Sequence, residues 1–146
     1  MSIRLLEELD YYKGFINLLK QLTTTDDILY NNFLDIFNSL QISTPIYEIK
    51  TYVIEDEKCK KIIATGTIMI CQKFIHECGK VAYIEDIVVD ENYRNFGYGK
   101  KILELLKEIA ENRKCYKIIL NCSEYNEKYY EKLGFSKKNI QMAKYF

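Results

Sequence analysis

Two adjacent carboxylates and one glycine-bearing loop carry the chemistry that this sequence offers. Glu85 and Asp86 interrupt an otherwise apolar run, Ile84-Glu85-Asp86-Ile87-Val88-Val89, where an ionised group is costly to bury and a chemical role becomes the better account. A carboxylate in such a place can take a proton from a neighbouring group. Further along, Arg94-Asn95-Phe96-Gly97-Tyr98-Gly99-Lys100 places two glycines where an amphipathic pattern begins. Glycine permits close backbone approach and a helix start favours negative charge, so the amides here can converge on a phosphate-like anion. Together the two features describe an anionic ligand held beside a proton acceptor.

Other glycine loops fail on spacing. In a P-loop the position of Arg94 would be glycine and that of Lys101 serine or threonine. A dinucleotide fingerprint would have its third glycine where this chain has Ile102. What remains is an R-x-x-G-x-G run between a strand and a helix.

The elements that must position these groups follow from periodicity. Ile3 to Leu6 reads as a short first strand or as part of the first helix. Tyr12, Phe15, Ile16 and Leu19 share one helical face, and Leu29, Phe33, Ile36, Phe37 and Leu40 share another, with Thr23 to Asp27 able to cap the second helix. After Ser43-Thr44-Pro45 the period becomes two. Tyr47 to Glu55 and Lys61 to Phe74 form a hairpin across the charged turn Asp56 to Lys60. Val81 to Val89 is a third strand, apolar enough to be buried on both faces.

Ile102, Leu105, Leu106 and Ile109 then mark the helix after the glycine loop. Lys117 to Asn121 is a strand, and Asn126, Tyr129, Tyr130 and Leu133 align on a last helix that Gly134 can stop. Ile140 to Phe146 is expected to add a final strand. The fold class is α/β of the α+β kind: a mixed central sheet of about six or seven strands flanked by about four helices.

The chain has 146 residues, enough for one domain spanning 1–146 with its own core. Lysine plus arginine and aspartate plus glutamate each number 21, a formal net charge of zero. That balance speaks against nucleic acid or an anionic membrane as partner. The five cysteines form no C-x-x-C pair and the single histidine, His76, has no metal-ligand spacing around it, so no metal is expected. The cysteines read as small buried hydrophobes in a reduced, cytoplasmic protein. The N-terminus has no signal-peptide pattern, and no apolar run is long enough to span a bilayer.

The R-x-x-G-x-G run resembles the pyrophosphate loop of the GNAT superfamily of acetyl-CoA-dependent N-acetyltransferases. The stretch Asn126-Glu127-Lys128-Tyr129-Tyr130-Glu131-Lys132-Leu133-Gly134-Phe135 resembles that superfamily's N-x-x-x-Y-x-x-x-G-F signature. Within it, Lys73 to Lys80, Ile84 to Val89 and Cys115-Tyr116-Lys117-Ile118 are similar to the glucosamine-6-phosphate N-acetyltransferase family. The resemblance is good over about residues 61 to 146, and the first 60 match by length and element order.

The resemblance implies a GNAT fold, acetyl-CoA as co-substrate, and a homodimer. It implies that the backbone at Ile87, Val88 and Val89 binds the pantetheine arm. Amides from Arg94 through Asn95, Phe96, Gly97, Tyr98 and Gly99 to Lys100 would hold the pyrophosphate, with Asn126 near the cofactor. Glu85 and Asp86 would position the amine of glucosamine 6-phosphate, and Tyr130 would protonate the departing thiolate. Lys73 and His76 are further candidates for binding the anionic substrate. Where the family has an arginine near the C-terminus for the sugar phosphate, only Lys144 stands here.

The same roles follow from the chemistry of acetyl transfer. A thioester acceptor must be a neutral amine and the thiolate must leave, so one group takes a proton and another returns one. Glu85 or Asp86 suits the first task and Tyr130 the second, each worth about 10² to 10⁴ in rate. The plainer accounts are an exposed strand-end ion pair for the carboxylates, a packing aromatic for Tyr130, and a loop residue for His76. Alternative functions are acetylation of a different amine (a protein N-terminus, lysine or polyamine) and an inactive acyl-CoA-binding module.

Overall fold

The computed structural model describes residues 1–42 and 44–146; Ser43, in the expected turn before the hairpin, lies outside the described residues. Five strands form one sheet in the order β1-β2-β3-β4-β5: β1 (Ile3–Leu5), β2 (Tyr47–Asp56), β3 (Lys61–Gln72), β4 (Lys80–Val89) and β5 (Cys115–Leu120). Neighbours from β1 to β4 are antiparallel, and β4 pairs with β5 in parallel. The parallel pair requires a crossover, which is α4 (Tyr98–Asn112). The other helical segments are α1 (Phe15–Leu19), α2 (Tyr30–Leu40), the single turn α3 (Ile75–Cys78) and α5 (Glu127–Glu131).

Both sheet faces are covered. On one side α4 buries Ile102, Leu103, Leu106 and Ala110 against Ile68, Ala82 and Ile84 of the sheet. On the other, Phe15, Ile16, Leu18 and Phe33 from α1 and α2 close over Val53, Ile62 and Val88. Each such aliphatic or aromatic side chain contributes about 1.5–3 kcal/mol on burial. The strand β4 sends Ala82 and Ile84 to one core and Val88 to the other, as its apolar run predicts. No helix among the described residues is long and apolar enough to cross a membrane.

Several expectations change. The sheet has five strands rather than six or seven, because the chain after Phe135 takes no regular structure and leaves Ile140, Met142, Tyr145 and Phe146 almost fully exposed. A strand needs a bonding neighbour, and within one chain this tail finds none. The first helix is shorter than its periodicity suggests: Gly14, at φ 83°, separates the 3₁₀ turn Glu8–Lys13 from α1, and Tyr12 is turned out to solvent.

The second helix starts at Tyr30 without a side-chain cap, and of the predicted face Leu29 and Ile36 are exposed. The cysteines are not core residues either. Cys59, Cys78 and Cys122 are exposed and Cys71 and Cys115 half-buried, all as free thiols, since most of them sit at turns or strand ends.

Candidate active site

The site is built where β4 parts from its neighbours. Pairing between β4 and β5 runs from Lys80 and Cys115 to Ile84 and Leu120 and then stops. From Glu85 to Val89 one backbone edge of β4 therefore faces no strand, and its peptide groups are free to bond a ligand lying in the notch. On the opposite edge the pairing with β3 is interrupted at the same level. Thr67 is opposite Glu85 and Thr65 opposite Val88, so Asp86 and Ile87 together oppose the single residue Gly66. This is a β-bulge, a device that re-aims side chains beside functional sites.

The bulge separates the fates of the two carboxylates. Asp86 takes a left-handed conformation, φ 54°, and its side chain is exposed; aspartate is among the few residues that tolerate this backbone. The extra residue turns Asp86 out of the strand. Glu85 remains half-buried, and burial, followed by the charge of Asp86, raises its pKa. Burial thus favours the protonated form of Glu85.

Gly66 makes the bulge possible and was not singled out from the sequence. A Cβ there would lie 2.4 Å from Ile87 Cδ1 and 2.6 Å from Ile102 Cγ2, so the bulged strand and α4 both occupy the space a side chain needs. An isolated glycine inside a strand pattern is the signal that points to it.

The loop that follows β4 is shaped for an anion. Asn95 and Gly97 have φ of 67° and 83°, and Gly97 is the N-cap of α4. Among the described residues, no amide from Arg94 to Gly99 donates to another backbone carbonyl, and the first amides of any helix lack internal partners. The first turn of α4 carries no acidic residue, although carboxylates are favoured there. Instead it carries Lys100 and Lys101, with Arg94 just before it. The helix end thus combines unpaired amides with basic side chains, an arrangement suited to an anion.

Tyr130 approaches from α5. Gly134, at φ 90°, ends this segment, and the amides of Gly134 and Phe135 donate to the carbonyls of Glu131 and Tyr130. Burial, then Tyr129 and Cys122, pushes the Tyr130 hydroxyl up to about 12, so it keeps its proton at neutral pH and is available as a donor. Its ring packs edge-on to Phe135 at 6.0 Å. With Leu120, Asn121, Cys122 and Ser123 it lines a cleft of about 500 Å³. The neighbouring Tyr129 ties α5 to the loop: a Cβ on Gly99 would meet Tyr129 Oη at 2.9 Å and Val89 Cγ2 at 3.5 Å.

Val89, Gly99 of the Arg94–Lys100 loop and Tyr129 of α5 thus meet at one end of the notch, whereas the cleft that Tyr130 lines lies between β5, α5 and residues 135–141. Asn126 is exposed at the N-cap of α5. Lys73 and His76 are not brought to it within the chain. They sit in the turn before β4, five strand positions beyond Glu85 at Lys80, about 17 Å along the strand. There His76 stacks on Tyr116 at 4.1 Å. Lys144 lies in the exposed tail, over the ring of Phe146 at 5.3 Å. Among the described residues no group of three or more histidine, cysteine or carboxylate side chains is arranged to hold a metal ion.

Comparison with known proteins gives this arrangement its family. The model of the acetyltransferase (GNAT) family matches residues 21–135. The chain is 46% identical to the glucosamine 6-phosphate N-acetyltransferase of Arabidopsis thaliana over 145 residues, 99% of this chain and 96% of that protein. Its identity to glucosamine 6-phosphate N-acetyltransferase 1 of Dictyostelium discoideum is 43%, covering 99% of this chain and 90% of that protein. The crystal structure of the Arabidopsis thaliana glucosamine-6-phosphate N-acetyltransferase superposes with a TM-score of 0.94 at 45% identity, over 99% of this chain and 97% of that one. From the strand order, the bulge, the glycine loop and likeness along nearly its whole length, the chain belongs to the GNAT acetyltransferase family, with the glucosamine 6-phosphate N-acetyltransferases.

Proposed function

We infer that this protein, as one domain spanning residues 1–146, moves the acetyl group of acetyl-CoA to the 2-amino group of glucosamine 6-phosphate, forming N-acetylglucosamine 6-phosphate for UDP-N-acetylglucosamine synthesis. The observation that carries the reaction type is the bulged notch, in which Glu85 with its raised pKa stands at one end of the free edge of β4 and the loop of unpaired amides follows the other end. The choice of amine rests on whole-length likeness to enzymes named for that substrate.

In this reading the pyrophosphate of acetyl-CoA lies on the amides from Arg94 to Lys100. The pantetheine arm runs along Ile87 to Val89, extending β4 where β5 has left it, and Asn126 lies beside it. Glu85 takes a proton from the substrate ammonium, with Asp86 adding negative charge that holds the cation. The neutral nitrogen attacks the thioester carbonyl carbon, the carbon–sulfur bond breaks, the thiolate of CoA receives a proton from Tyr130, and the Tyr130 phenolate regains one from the nitrogen as the amide forms, while Glu85 gives its proton to solvent. No covalent acyl-enzyme is formed, and none of the five free thiols is required.

A homodimer completes the site. Among the described residues the outer edge of β5 has no partner strand, and the tail that lines the cleft beside β5 leaves Ile140, Met142, Tyr145 and Phe146 exposed. A second copy satisfies both, since unpaired edges and exposed apolar segments are complementary liabilities. Lys144 travels with the tail, and either it or Lys73 and His76 of the turn before β4 then supplies positive charge for the sugar phosphate. The balanced charge of the chain fits a small anionic substrate rather than nucleic acid or membrane, and its free thiols fit the cytoplasm.

The test is the release of CoA from acetyl-CoA by the pure protein with a panel of amines. Glucosamine 6-phosphate is expected to give the highest kcat/KM, well above glucosamine, lysine peptides and polyamines. Turnover with another amine and none with glucosamine 6-phosphate would sink the assignment.

A further inference from the structure

The anion loop is entered through Asp90, whose side chain is 2% exposed although it is charged. Burying a carboxylate is tolerated only with partners, and Asp90 has four from other groups. Its Oδ2 accepts from Lys61 Nζ at 2.7 Å and Gln21 Nε2 at 3.2 Å. Its Oδ1 accepts from the Asn92 amide at 3.0 Å and Asn92 Nδ2 at 3.2 Å. The Asp90 backbone is held too, its amide donating to Ile63 at 2.8 Å and its carbonyl accepting from Tyr93 at 2.8 Å.

Gln21 bridges a second time. While its Nε2 donates to Asp90, its Oε1 accepts from the Glu91 amide at 2.9 Å. One exposed side chain, just past the C-terminus of α1, thus holds both the carboxylate and the next peptide. These contacts fix the 3₁₀ turn Glu91–Tyr93, which sets the direction in which Arg94 to Gly99 leave the sheet. Burial works to raise the Asp90 pKa, and the bonds from Lys61, the Asn92 amide and Gln21 overcome it, so the carboxylate stays ionised.

We propose that Asp90 and Gln21 are positioning residues for the cofactor: they aim the amides of the anion loop at the pyrophosphate while touching neither cofactor nor amine. This rests on acetyl-CoA being bound by that loop. A loop held a fraction of an ångström out of line loses several amide bonds to the diphosphate together, so the effect falls on cofactor affinity and not on the chemical step.

The experiment compares acetyl-CoA with S-acetylpantetheine, a donor that has the same thioester but no pyrophosphate, in Asp90→Asn and Gln21→Ala enzymes. Asp90→Asn is expected to raise KM for acetyl-CoA about tenfold and Gln21→Ala about threefold, with kcat changed less than about twofold. For S-acetylpantetheine kcat/KM is expected to stay at the wild-type value in both. Equal losses on the two donors would mean a merely structural role, and unchanged KM for acetyl-CoA would remove the residues from cofactor binding; either result overturns the proposal.

Should Asp90→Asn fold poorly, the exposed Gln21 still decides. Calorimetry of CoA and pantetheine binding keeps the test separate from the substrate assignment. Weakened CoA binding with unchanged pantetheine binding supports the positioning role even if glucosamine 6-phosphate is not turned over. Wild-type protein that binds no CoA overturns both readings.

Discussion

The two ends of β4 solve the same backbone problem in opposite ways. At the loop end the chain turns left-handed at Asn95 and Gly97, residue types for which that conformation is cheap, and the turn before them is clamped by buried Asp90. At the other end His76, Glu77 and Cys78 are left-handed in succession, with φ of 53°, 56° and 59°. None is glycine, and each costs about 1–2 kcal/mol. The cost is offset locally. His76 stacks on Tyr116, Gln72 bonds the carbonyls of Cys78 and Gly79, and the Lys73 amide bonds Gly79. Phe74 and Ile75 meanwhile stand exposed. The loop end is permissive by composition and rigid by packing, whereas the turn end is strained by composition and lightly held.

The largest effect is expected midway between the ends, at Glu85. Glu85→Gln removes the proposed proton acceptor, and kcat/KM should fall about 10²-fold or more. The acid limb of the wild-type pH–rate profile, set by a carboxyl of raised pKa, should vanish with it. Stability should move the other way. A raised folded-state pKa means that the protonated form is favoured by the fold. Its stabilisation is full below the unfolded pKa, near 4.5, and is lost as pH rises through the raised value. The glutamine variant should therefore melt higher than wild type at neutral pH and show no such gain below that window in thermal scans. A wild-type rate profile retained in the variant would exclude Glu85 as the base.

The next effect isolates the loop end. No atom lies within 4 Å of a Cβ built on Gly97, so a substitution there reads backbone conformation rather than crowding. Gly97→Val should raise KM for acetyl-CoA about tenfold, because a β-branched residue resists φ 83°. Gly97→Asn should stay within about threefold of wild type, as asparagine accepts that region. Equal kinetics for valine and asparagine would show that the conformation of Gly97 does not matter to the cofactor.

The smallest effect belongs to the turn end. Glu77→Gly relieves about 1–2 kcal/mol of strain and returns part of it as unfolded-state entropy, so Tm should rise by about 2 °C. KM for acetyl-CoA, which is bound at the other end of β4 in the proposed function, should be unchanged. A fall in Tm would mean that the left-handed run is not strained as its dihedrals imply.

Legibility followed glycine and periodicity. Gly97, Gly99 and Gly134 stand where sequence reasoning puts them, because a loop entering a helix and a helix end announce themselves locally. The hairpin, β4, α4 and β5 were equally readable, since each buries a face of regular period. Gly66 was not, because its purpose is set by Ile87 and Ile102, which meet it only in the folded sheet. Asp90 and Gln21 lie far apart in the chain and carry no local pattern. The tail from Ile140 read as a strand because its residues suit one, but a strand also needs a neighbour.

What the sequence determined by itself was the kind of site: an anion loop after an apolar strand, two carboxylates within that strand, and a tyrosine on a later short helix. These depend on residue type and on short-range geometry. What only the tertiary structure decided was how those residues divide the labour. The bulge opposite Gly66 exposes Asp86 and keeps Glu85 half-buried, the parting of β4 from β5 leaves an edge for the ligand, and the buried Asp90 clamp sets where the loop points. Each depends on contacts between segments distant in the chain, and desolvation, register and alignment come into being only when those segments pack.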